Sequence, residues 1–519
     1  MKILLVSPNS PSSFWSFKHA LGFLSKKAAL PPLGLLTVAA MLPADWDLKL
    51  VDMAVTELND QDIQWADYVF IGAMYVQKGF VQQIVNRCRR MGIKTVAGGP
   101  LFTLVPEECN DIDHLVLNEA ELTLPQFLKD LAAGSAKHLY TSDQWADVQN
   151  TPIPAWKLID PKQYSSLSLQ YSRGCPFDCD FCDVTTRFGH KSRTKSKAQV
   201  LAELESLYNL GWKRSVFFVD DNLIGNKQHL KKEILPGVIE WLKEKKYPFS
   251  FNTQVSINLA DDDELMRLMA QAGFNCVFVG IETPNEESLA ECNKVQNKGR
   301  DLIACVKKIQ QAGMEVQGGF ILGFDNDNNA VFETLIHFIQ ESGIATAMVG
   351  LLNAPPGTKL YSRMVREKRL LHNITGDNTD LTMNFVPVME YKELLKGYRK
   401  VVQTIYSEKD YYNRVLTFLK NYNPVIRNRA SVKHFDFKAF FKSVWRLGVV
   451  ANGRKYYWKM ILWTLMRPRY FDSAVRLAIY GHHFRTMFEE LYMSAKDRRA
   501  RKSNFEILGF RVGRKTVSS

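Results

Sequence analysis

Three cysteines on one short stretch constrain this chain more than any other feature of its sequence. Cys175, Cys179 and Cys182 are spaced C-x3-C-x2-C, and Phe181 directly precedes the third of them. Three thiolates on one loop can hold three irons of a [4Fe–4S] cube and leave its fourth iron open for a further ligand. A structural zinc site would need a fourth protein ligand, and the nearest candidate, His190, lies off the usual zinc spacing. The spacing therefore favours an iron–sulfur cluster with one reactive iron.

The length of the chain and its use of cysteine limit the class of protein. At 519 residues the chain exceeds a single hydrophobic core, which indicates about three domains. No apolar run reaches the roughly 18 residues of a membrane-spanning helix, and the first residues lack the apolar core of a secretion signal. Eight cysteines, three of them clustered, argue against a disulfide framework. We therefore expect a cytoplasmic protein in a reducing compartment.

The net charge of +13 is unevenly distributed. Residues 391–519 contain 28 Lys and Arg but 9 Asp and Glu, so the basic excess lies wholly in the C-terminal quarter. Aromatic side chains are interleaved with Lys and Arg between residues 440 and 495. Such a region can be an amphipathic helical cap on a neighbouring domain, a surface that lies on an anionic membrane, or an RNA-binding module whose aromatics stack on bases.

Residues 1–150 alternate short apolar runs with helical stretches. Fully apolar strands separated by helices predict a parallel sheet that is covered on both faces. The pattern indicates an α/β fold with a doubly wound N-terminal domain, which would bind its ligand at the carboxyl ends of the strands. The candidate strands are residues 3–6, 48–51, 69–71, 95–97 and 115–117.

A second alternation of strands and helices fills residues 163–365. It contains six βα units, two fewer than a closed barrel, and so predicts a partial (β/α)6 TIM-like barrel. In such barrels the loops after the strands carry the chemistry, and the three cysteines directly follow the first strand. Residues 366–519 are helical, basic and aromatic, and we expect them to form a C-terminal domain. The six predicted barrel strands are residues 167–171, 215–219, 249–255, 276–280, 316–321 and 347–351.

The cysteine motif resembles the signature of the radical S-adenosylmethionine (SAM) superfamily, including the aromatic residue before the third cysteine. The resemblance implies that SAM binds the open iron. It also implies that polar residues after the second barrel strand hold the amino group of SAM, a role that falls to Asp220, Asp221 or Asn222. A helix N-cap without any ligand is the alternative for these three residues, because Asp and Asn cap helices well.

Three later barrel strands end in residues for which the same resemblance suggests contacts with SAM. Gln254 after the third strand could hydrogen-bond SAM or substrate, and Glu282 after the fourth could bind the ribose. Gly-Phe-Ile-Leu-Gly on the fifth strand is similar to a family pattern that packs on the adenine, which places Ile321 and Gly323 there. The match is partial, because Asn326 stands three positions beyond Gly323, where that pattern often has glutamate.

A doubly wound domain ahead of a radical SAM barrel resembles the cobalamin-binding (vitamin B12) branch of the superfamily. The matching residues include Gly34 at the first helix, Asp52 at the end of the second strand, and Gly98 and Gly99 after the fourth strand. Small residues there let a flat macrocycle approach the backbone. The Asp-x-His-x-x-Gly run that supplies an axial histidine in many cobalamin proteins is absent, and Asn118 stands where relatives tend to place glycine. The alternative is a nucleotide-free Rossmann-like domain used for docking.

Cobalamin-dependent relatives with a similar helical C-terminal region include hopanoid methylases and bacteriochlorophyll-pathway methylases. This resemblance implies a cobalamin-dependent radical SAM methyltransferase that uses a [4Fe–4S] cluster, SAM and cobalamin. Its substrate would be an unactivated carbon of a hydrophobic metabolite or lipid, and its electrons would come from a flavodoxin- or ferredoxin-type reductant. The resemblance also favours peripheral contact with an anionic inner-membrane face over contact with nucleic acid.

Three other functions stay open at this point. A radical SAM cyclase or C–C coupling enzyme would use cobalamin without methyl transfer. An RNA-modifying methylthiotransferase usually carries a second cluster on N-terminal cysteines, and Cys88 and Cys109 are too few for that arrangement. A non-catalytic electron-transfer or sensor protein would bind the cluster without cleaving SAM.

Overall fold

The computed structural model describes residues 1–377, 379–425 and 437–492, and its N-terminal part contains a parallel sheet of six strands. In chain order these are β1 (Lys2–Ser7), β2 (Asp47–Asp52), β3 (Tyr68–Gly72), β4 (Lys94–Gly98), β5 (His114–Val116) and β6 (Leu139–Tyr140). Their spatial order is β2-β1-β3-β4-β5-β6, so the winding reverses between β1 and β3. The predicted doubly wound topology is confirmed, and its ligand site is expected beside that reversal, at the carboxyl ends of the strands.

Apolar runs and amphipathic helices account for this sheet. Residues 3–6 of β1 are fully buried, because helices cover both faces of the sheet. Val81, Ile84 and Cys88 recur at helical spacing along one such helix and are buried against the strands. The helices of this part are α1 (Lys18–Leu24), α2 (Leu33–Met41), α3 (Asp60–Trp65), α4 (Lys78–Arg90), α5 (Pro100–Leu104) and α6 (Ala120–Ala132).

The second sheet is an open barrel of six parallel strands. These are β7 (Leu167–Leu169), β10 (Ser215–Phe218), β11 (Ser250–Val255), β12 (Phe274–Glu282), β13 (Glu315–Leu322) and β14 (Ala347–Leu351), while β8 (Ser172–Arg173) and β9 (Arg193–Thr194) form a separate antiparallel ribbon. The spatial order β14-β13-β12-β11-β10-β7 leaves β7 and β14 as edges that do not pair with each other. The prediction of a partial (β/α)6 barrel is confirmed.

Helices cover the outer face of the barrel. Phe218, Phe251 and Phe274 pack against one another on that face, and Phe249 links them to Trp241. Because side chains alternate along a strand, the residues between these buried ones face the interior of the barrel. The helices are α7 (Val184–Phe188), α8 (Lys197–Asn209), α9 (Lys227–His229), α10 (Leu235–Glu244), α11 (Asp263–Gln271), α12 (Glu286–Glu291), α13 (Leu302–Gln311) and α14 (Val331–Ser342).

The C-terminal region is helical, as expected. Its helices are α15 (Lys359–Arg366), α16 (Tyr391–Ile405), α17 (Glu408–Asn421), α18 (Phe437–Ser443), α19 (Arg454–Leu465) and α20 (Phe471–Tyr492), and a π-helical segment, Val444–Val450, continues α18. No helix within the described ranges combines the length and the apolar content needed to cross a bilayer. Residues 493–519 of the predicted C-terminal domain lie outside the described residues, and the boundaries 1–150, 163–365 and 366–519 stay predictions.

Aromatic contacts join the segment between β1 and α1 to both the barrel and α20. The ring of Phe14 stacks on that of Phe484, with centroids 4.1 Å apart. Trp15 meets Phe278 of β12 edge to face, with centroids 5.3 Å apart. His483 Nε2 lies 3.0 Å from the Phe14 carbonyl oxygen. The N-terminal part of the chain thus reaches a side chain that faces the barrel interior.

Candidate active site

The loop between β8 and α7 holds the three cysteines, and a glycine fixes its start. Gly174 has φ +91°, and a Cβ there would lie 2.6 Å from the Lys191 carbonyl oxygen, so only glycine fits. Burial raises the pKa of the Cys175 and Cys179 thiols and raises the pKa of Cys182 to about 12. Burial therefore disfavours the free thiolates. Iron bound at the loop would stabilise the thiolates as its ligands and so offset the cost of their burial.

Side-chain amides point at two of the three sulfurs. Asn222 Nδ2 lies 3.8 Å from Cys175 Sγ, and Gln296 Nε2 lies 3.6 Å from Cys179 Sγ. Asn222 is held in place by Ser256, whose backbone N–H donates to Asn222 Oδ1 at 3.2 Å. Hydrogen bonds to sulfur are a feature of iron–sulfur sites because they stabilise the anionic ligands. The thiols and the two amide donors therefore fit a [4Fe–4S] cluster, whereas His190, the further ligand that a zinc site would need, is exposed.

The two carboxylates beside Asn222 have different surroundings. Asp220 is fully buried and accepts hydrogen bonds from Tyr171 N at 3.2 Å and from the Ser172 hydroxyl at 2.6 Å, so it positions the start of the cysteine loop. Burial raises the pKa of Asp220 to about 7 and that of Asp221 to about 6. The backbone N–H of Asp221 itself interacts with its carboxylate, and the Asn222 side chain makes no helix-cap hydrogen bond. The SAM contact stays a prediction for all three residues, and Asp221 is the member of the trio whose side chain makes no hydrogen bond to the cysteine loop within the described residues.

A buried ion pair lies beside the cysteines at the end of β12. Glu282 Oε1 is 2.7 Å from Lys294 Nζ, and that ammonium group is 5.9 Å from the centroid of the Phe181 ring. Burial opposes the charge of Lys294, but Glu282 and Cys179 outweigh it and raise the Lys294 pKa. Glu282 has φ +65°, a strained backbone conformation for a residue with a side chain. The ribose contact of Glu282 stays a prediction, since its carboxylate is paired with Lys294.

The loop after β13 is held by a carboxylate that the sequence analysis did not identify. Asp327 accepts hydrogen bonds from Gly323 N at 2.8 Å, from Phe324 N at 3.1 Å and from the Ser288 hydroxyl at 3.0 Å. Asp327 lies one position beyond Asn326, where the family pattern often has glutamate. The acidic residue is therefore present but shifted by one position. An acidic residue next to the expected position is the sequence signal that could have identified Asp327. The adenine contacts of Ile321 and Gly323 stay predictions.

The interior of the barrel is lined by apolar and amide side chains that are half-buried. The six strands contain two charged side chains, Glu282 and Glu315, and each is in an ion pair, with Lys294 and with Arg476 respectively. By strand alternation, the half-buried interior side chains are Phe217, Asn252, Gln254, Phe278, Gln317, Ile321 and Met348. The predicted SAM or substrate residue Gln254 thus lies on this interior face, where its own contact stays a prediction.

Glycines lie at the carboxyl edge of the N-terminal sheet. A Cβ on Gly98 would lie 2.7 Å from a carbonyl oxygen of β5, and Gly99 has φ +102°. A Cβ on Gly34 would meet no atom within 4 Å, so the space beside the start of α2 is open. Asp52 is buried and accepts a hydrogen bond at 2.9 Å from the hydroxyl of Tyr164, which lies just ahead of β7, so one of its oxygens is already paired. The open space beside Gly34, at the carboxyl edge of the sheet, fits a flat corrinoid, and contacts of Gly34, Asp52, Gly98 and Gly99 with it stay predictions.

A buried ion network joins this edge to the cysteine loop. Arg173, two residues before Cys175, donates to Glu119 Oε1 and to Glu121 Oε1, each at 2.8 Å. Arg193 donates to Glu119 Oε2 at 2.9 Å. The Glu119 and Glu121 side chains are 2% and 7% exposed. Although burial alone would raise it, the hydrogen bonds and charge of Arg173 lower the Glu121 pKa to about 2.

Asn118 directly precedes this network and explains the missing glycine. It has φ +61°, a left-handed conformation in which asparagine is among the best tolerated residues after glycine. Its Oδ1 accepts a hydrogen bond from the Thr141 hydroxyl at 2.7 Å. Asparagine therefore serves the turn for which relatives tend to use glycine.

Three family models match successive parts of the chain. The B12 binding domain matches residues 24–128, and the Radical SAM superfamily matches residues 169–339. A model described as a domain of unknown function (DUF4070) matches residues 358–496.

Two relatives are similar over nearly the whole length. The uncharacterized methyltransferase sll1242 of Synechocystis sp. is 39% identical over 490 residues, which cover 93% of this chain and 91% of the relative. The hopanoid C-2 methylase of Rhodopseudomonas palustris is 30% identical over 495 residues, which cover 93% of this chain and 92% of that methylase. The chain belongs to the cobalamin-binding radical SAM methylase family.

A solved structure supports the fold of this methylase. The cobalamin-dependent SAM radical enzyme OxsB, with aqua-cobalamin bound, matches with a TM-score of 0.59 and 15% identity, over 96% of this chain and 80% of that one. The family models and the two relatives confirm the expected family, the radical SAM methyltransferase activity and the cofactors, which are a [4Fe–4S] cluster, SAM and cobalamin. The readings of the N-terminal sheet as a nucleotide-free docking domain and of the cysteines as a zinc site are set aside.

Proposed function

We propose that this methylase acts on an unactivated carbon of a hydrophobic metabolite or lipid. The observation that carries the proposal is the barrel interior, in which the strands present apolar and amide side chains and no charge without a partner. Phe278, Ile321 and Met348 offer apolar contacts, and Trp15 extends this surface from outside the barrel. Apolar burial is worth about 25 cal/mol per Å², whereas a charged substrate would need a countercharge that the strands do not offer.

The amide side chains of the interior support a substrate with few polar groups. Gln254 and Gln317 lie on the interior face, and Asn252 Oδ1 is buried without a hydrogen-bond partner in the described part of the chain. These groups suit one hydroxyl or carbonyl on an otherwise apolar molecule. The relative that is named for hopanoids supports the same substrate class.

The chain's own residues would hold the cofactors and the substrate. Cys175, Cys179 and Cys182 would bind the cluster, and Asp220, Asp221 or Asn222 would hold the amino group of SAM. When bound, the cofactors supply hydrogen abstraction from carbon and the incoming methyl group. The barrel positions the reacting C–H bond and excludes water from it. We further propose a flavodoxin- or ferredoxin-type protein as the electron donor.

Isotope transfer tests the substrate class. Reconstituted holoenzyme and reductant are incubated with SAM that carries a deuterated methyl group, and with either the lipid fraction or the aqueous fraction from a deletion strain. We expect a deuterated methyl group in the lipid fraction, together with 5′-deoxyadenosine and S-adenosylhomocysteine. A label confined to the aqueous fraction would refute a hydrophobic substrate. Deoxyadenosine without S-adenosylhomocysteine would instead indicate the cyclase or coupling alternative.

A further inference from the structure

The helix α18 and its π-helical continuation expose apolar side chains where a surface helix normally has polar ones. Phe441, Trp445 and Val449 follow one another at intervals of four residues and are 65%, 59% and 48% exposed. Ser443 and Leu447, on the opposite side, are buried against the protein. The segment therefore packs through one face and turns its largest apolar side chains outward, which reverses the usual pattern of a surface helix.

Helix α19 packs against this segment, where Trp458 Nε1 donates to the Gly448 carbonyl oxygen at 2.8 Å, and we call the two together the α18–α19 surface (residues 437–466). Leu462, Leu465 and Met466 are 57%, 60% and 82% exposed, while Met460 and Ile461 are buried. Single exposed apolar residues are ordinary on proteins, but groups of them in adjacent helices mark surfaces that contact a membrane or another molecule.

The charge of this region selects among the possible partners. Residues 437–470 contain eight Lys and Arg and no Asp or Glu, and Lys455, Lys459 and Arg467 are exposed. A second copy of the same surface would bring like charges together. RNA would pair with the cations but would leave the aliphatic side chains without an apolar partner. An anionic bilayer satisfies both features, because its headgroups are negative and its acyl chains are apolar.

The α18–α19 surface is also connected to the barrel interior. Lys442 Nζ donates to the Gly22 carbonyl oxygen and to the Ser25 hydroxyl, both at 2.9 Å, which seats α18 on helix α1. Trp15, just ahead of α1, contacts Phe278 on the interior face of the barrel. A bilayer against this surface would therefore lie next to the segment that borders the proposed substrate space.

We propose that the α18–α19 surface docks this methylase on a bilayer that contains anionic lipid. Phe441, Trp445 and Met466 enter the boundary between headgroups and acyl chains, and Lys455 and Lys459 contact the headgroups. The docking brings the barrel to a membrane-borne substrate, and in this respect it rests on the proposed function. Binding to the bilayer itself needs no turnover, so it can be measured separately.

Flotation with vesicles tests the docking surface. Reconstituted holoenzyme is mixed with phosphatidylcholine vesicles that contain or lack phosphatidylglycerol. We expect flotation with the anionic vesicles, and weaker flotation in about 0.5 M salt because salt screens the headgroup contacts. The double variant Phe441→Ser/Trp445→Ser should partition more than about tenfold less, because it loses two apolar anchors.

Matched controls separate docking from folding and from catalysis. The double variant should keep the iron content and deoxyadenosine formation of the wild type, since neither residue contacts the barrel interior. Leu371→Ser/Val388→Ser removes side chains that are 61% and 65% exposed elsewhere, and it should float like the wild type.

Three outcomes would overturn the proposal. The first is that the wild type does not float with anionic vesicles, and the second is that the Phe441→Ser/Trp445→Ser variant floats equally well. The third is that the wild type is a dimer and the variant a monomer while flotation stays the same. A wild type that does not float but still methylates detergent-dispersed lipid would refute the docking surface alone. Flotation without any methylation of lipid would refute the substrate class alone.

Discussion

Arg173 Nη1 lies 2.8 Å from Glu119 Oε1, and this contact joins the start of the cysteine loop to the loop after β5 of the cobalamin-binding part. Glu121 and Arg193 extend it into a network whose carboxylates are almost fully buried. A methyl acceptor has to meet chemistry supplied from both sheets of this methylase. The network is therefore placed to fix how the two sheets lie relative to each other.

Glu119→Gln should destabilise the protein strongly. The change leaves Arg173 and Arg193 buried with less negative charge, and breaking a buried pair costs about 3–5 kcal/mol. The urea midpoint of anaerobic holoenzyme measures the effect. Asp60→Asn is the control, because Asp60 pairs with Arg87 in the same part of the chain but is 61% exposed, and it should cost less than about 1 kcal/mol. Equal shifts for the two variants would contradict the structural role of the network.

The contribution of Glu121 should depend on pH. Its pKa of about 2 in the folded chain lies below the reference value of 4.5, so its ionised form stabilises the fold above about pH 4.5. The contribution is lost as the pH falls through that range towards 2. The difference in urea midpoint between wild type and Glu121→Gln should be constant from about pH 7 to 6 and shrink below about pH 4.5. A difference that persists unchanged to about pH 3 would be inconsistent with this pKa.

Gly280→Ala should disturb the ion pair beside the cysteines. A Cβ there would collide with Glu282 Oε1 and lie 2.9 Å from Lys294 Nζ. Because both atoms end long side chains that can shift, the cost in stability should be below about 1 kcal/mol, while the displaced Lys294 should lower iron incorporation after reconstitution. Iron per chain and the thermal midpoint are the measurements. Gly79→Ala is the matched control, because its Cβ would meet nothing within 4 Å. Full iron content in Gly280→Ala would show that the pair does not support the site.

Asp327→Ala should weaken SAM binding while leaving the cluster intact. Removal of the carboxylate leaves the Gly323 and Phe324 amides without their acceptor, at about 1–3 kcal/mol for each buried group. We expect roughly tenfold weaker SAM affinity, which corresponds to about 1.4 kcal/mol. Equilibrium binding of SAM to reconstituted protein checks this, with Asn326→Ala as the neighbouring control. If the Asn326 variant were the weaker binder, the family pattern would apply without the shift.

The parts of this structure that follow local rules could be predicted from the sequence. Buried parallel strands are continuous apolar runs, and the cysteine spacing is set by one short loop. Strand β6 was missed because two residues carry no periodic signal. Lys294 and Gln296 were missed for a different reason. They come from the loop after α12, and only the fold of the barrel brings them to Cys179.

The three polar residues after β10 also show what a local sequence pattern cannot predict. Asp220, Asp221 and Asn222 are adjacent in sequence and look equivalent there. In the structure Asp220 binds the backbone before the cysteines, while Asn222 points at Cys175 Sγ. The direction of each side chain is set by the strand end and its neighbours, which no local pattern records.

SAM cleavage by the reconstituted protein shows whether the three cysteines hold a reactive cluster. The wild type and Cys179→Ala are reconstituted anaerobically with iron, sulfide and cobalamin, and are then given SAM and a strong reductant. Because the three cysteines bind the cluster that cleaves SAM, we expect about four irons per chain and 5′-deoxyadenosine from the wild type, with both largely lost in the variant. Unchanged iron content and unchanged deoxyadenosine formation in Cys179→Ala would contradict this role of the cysteines.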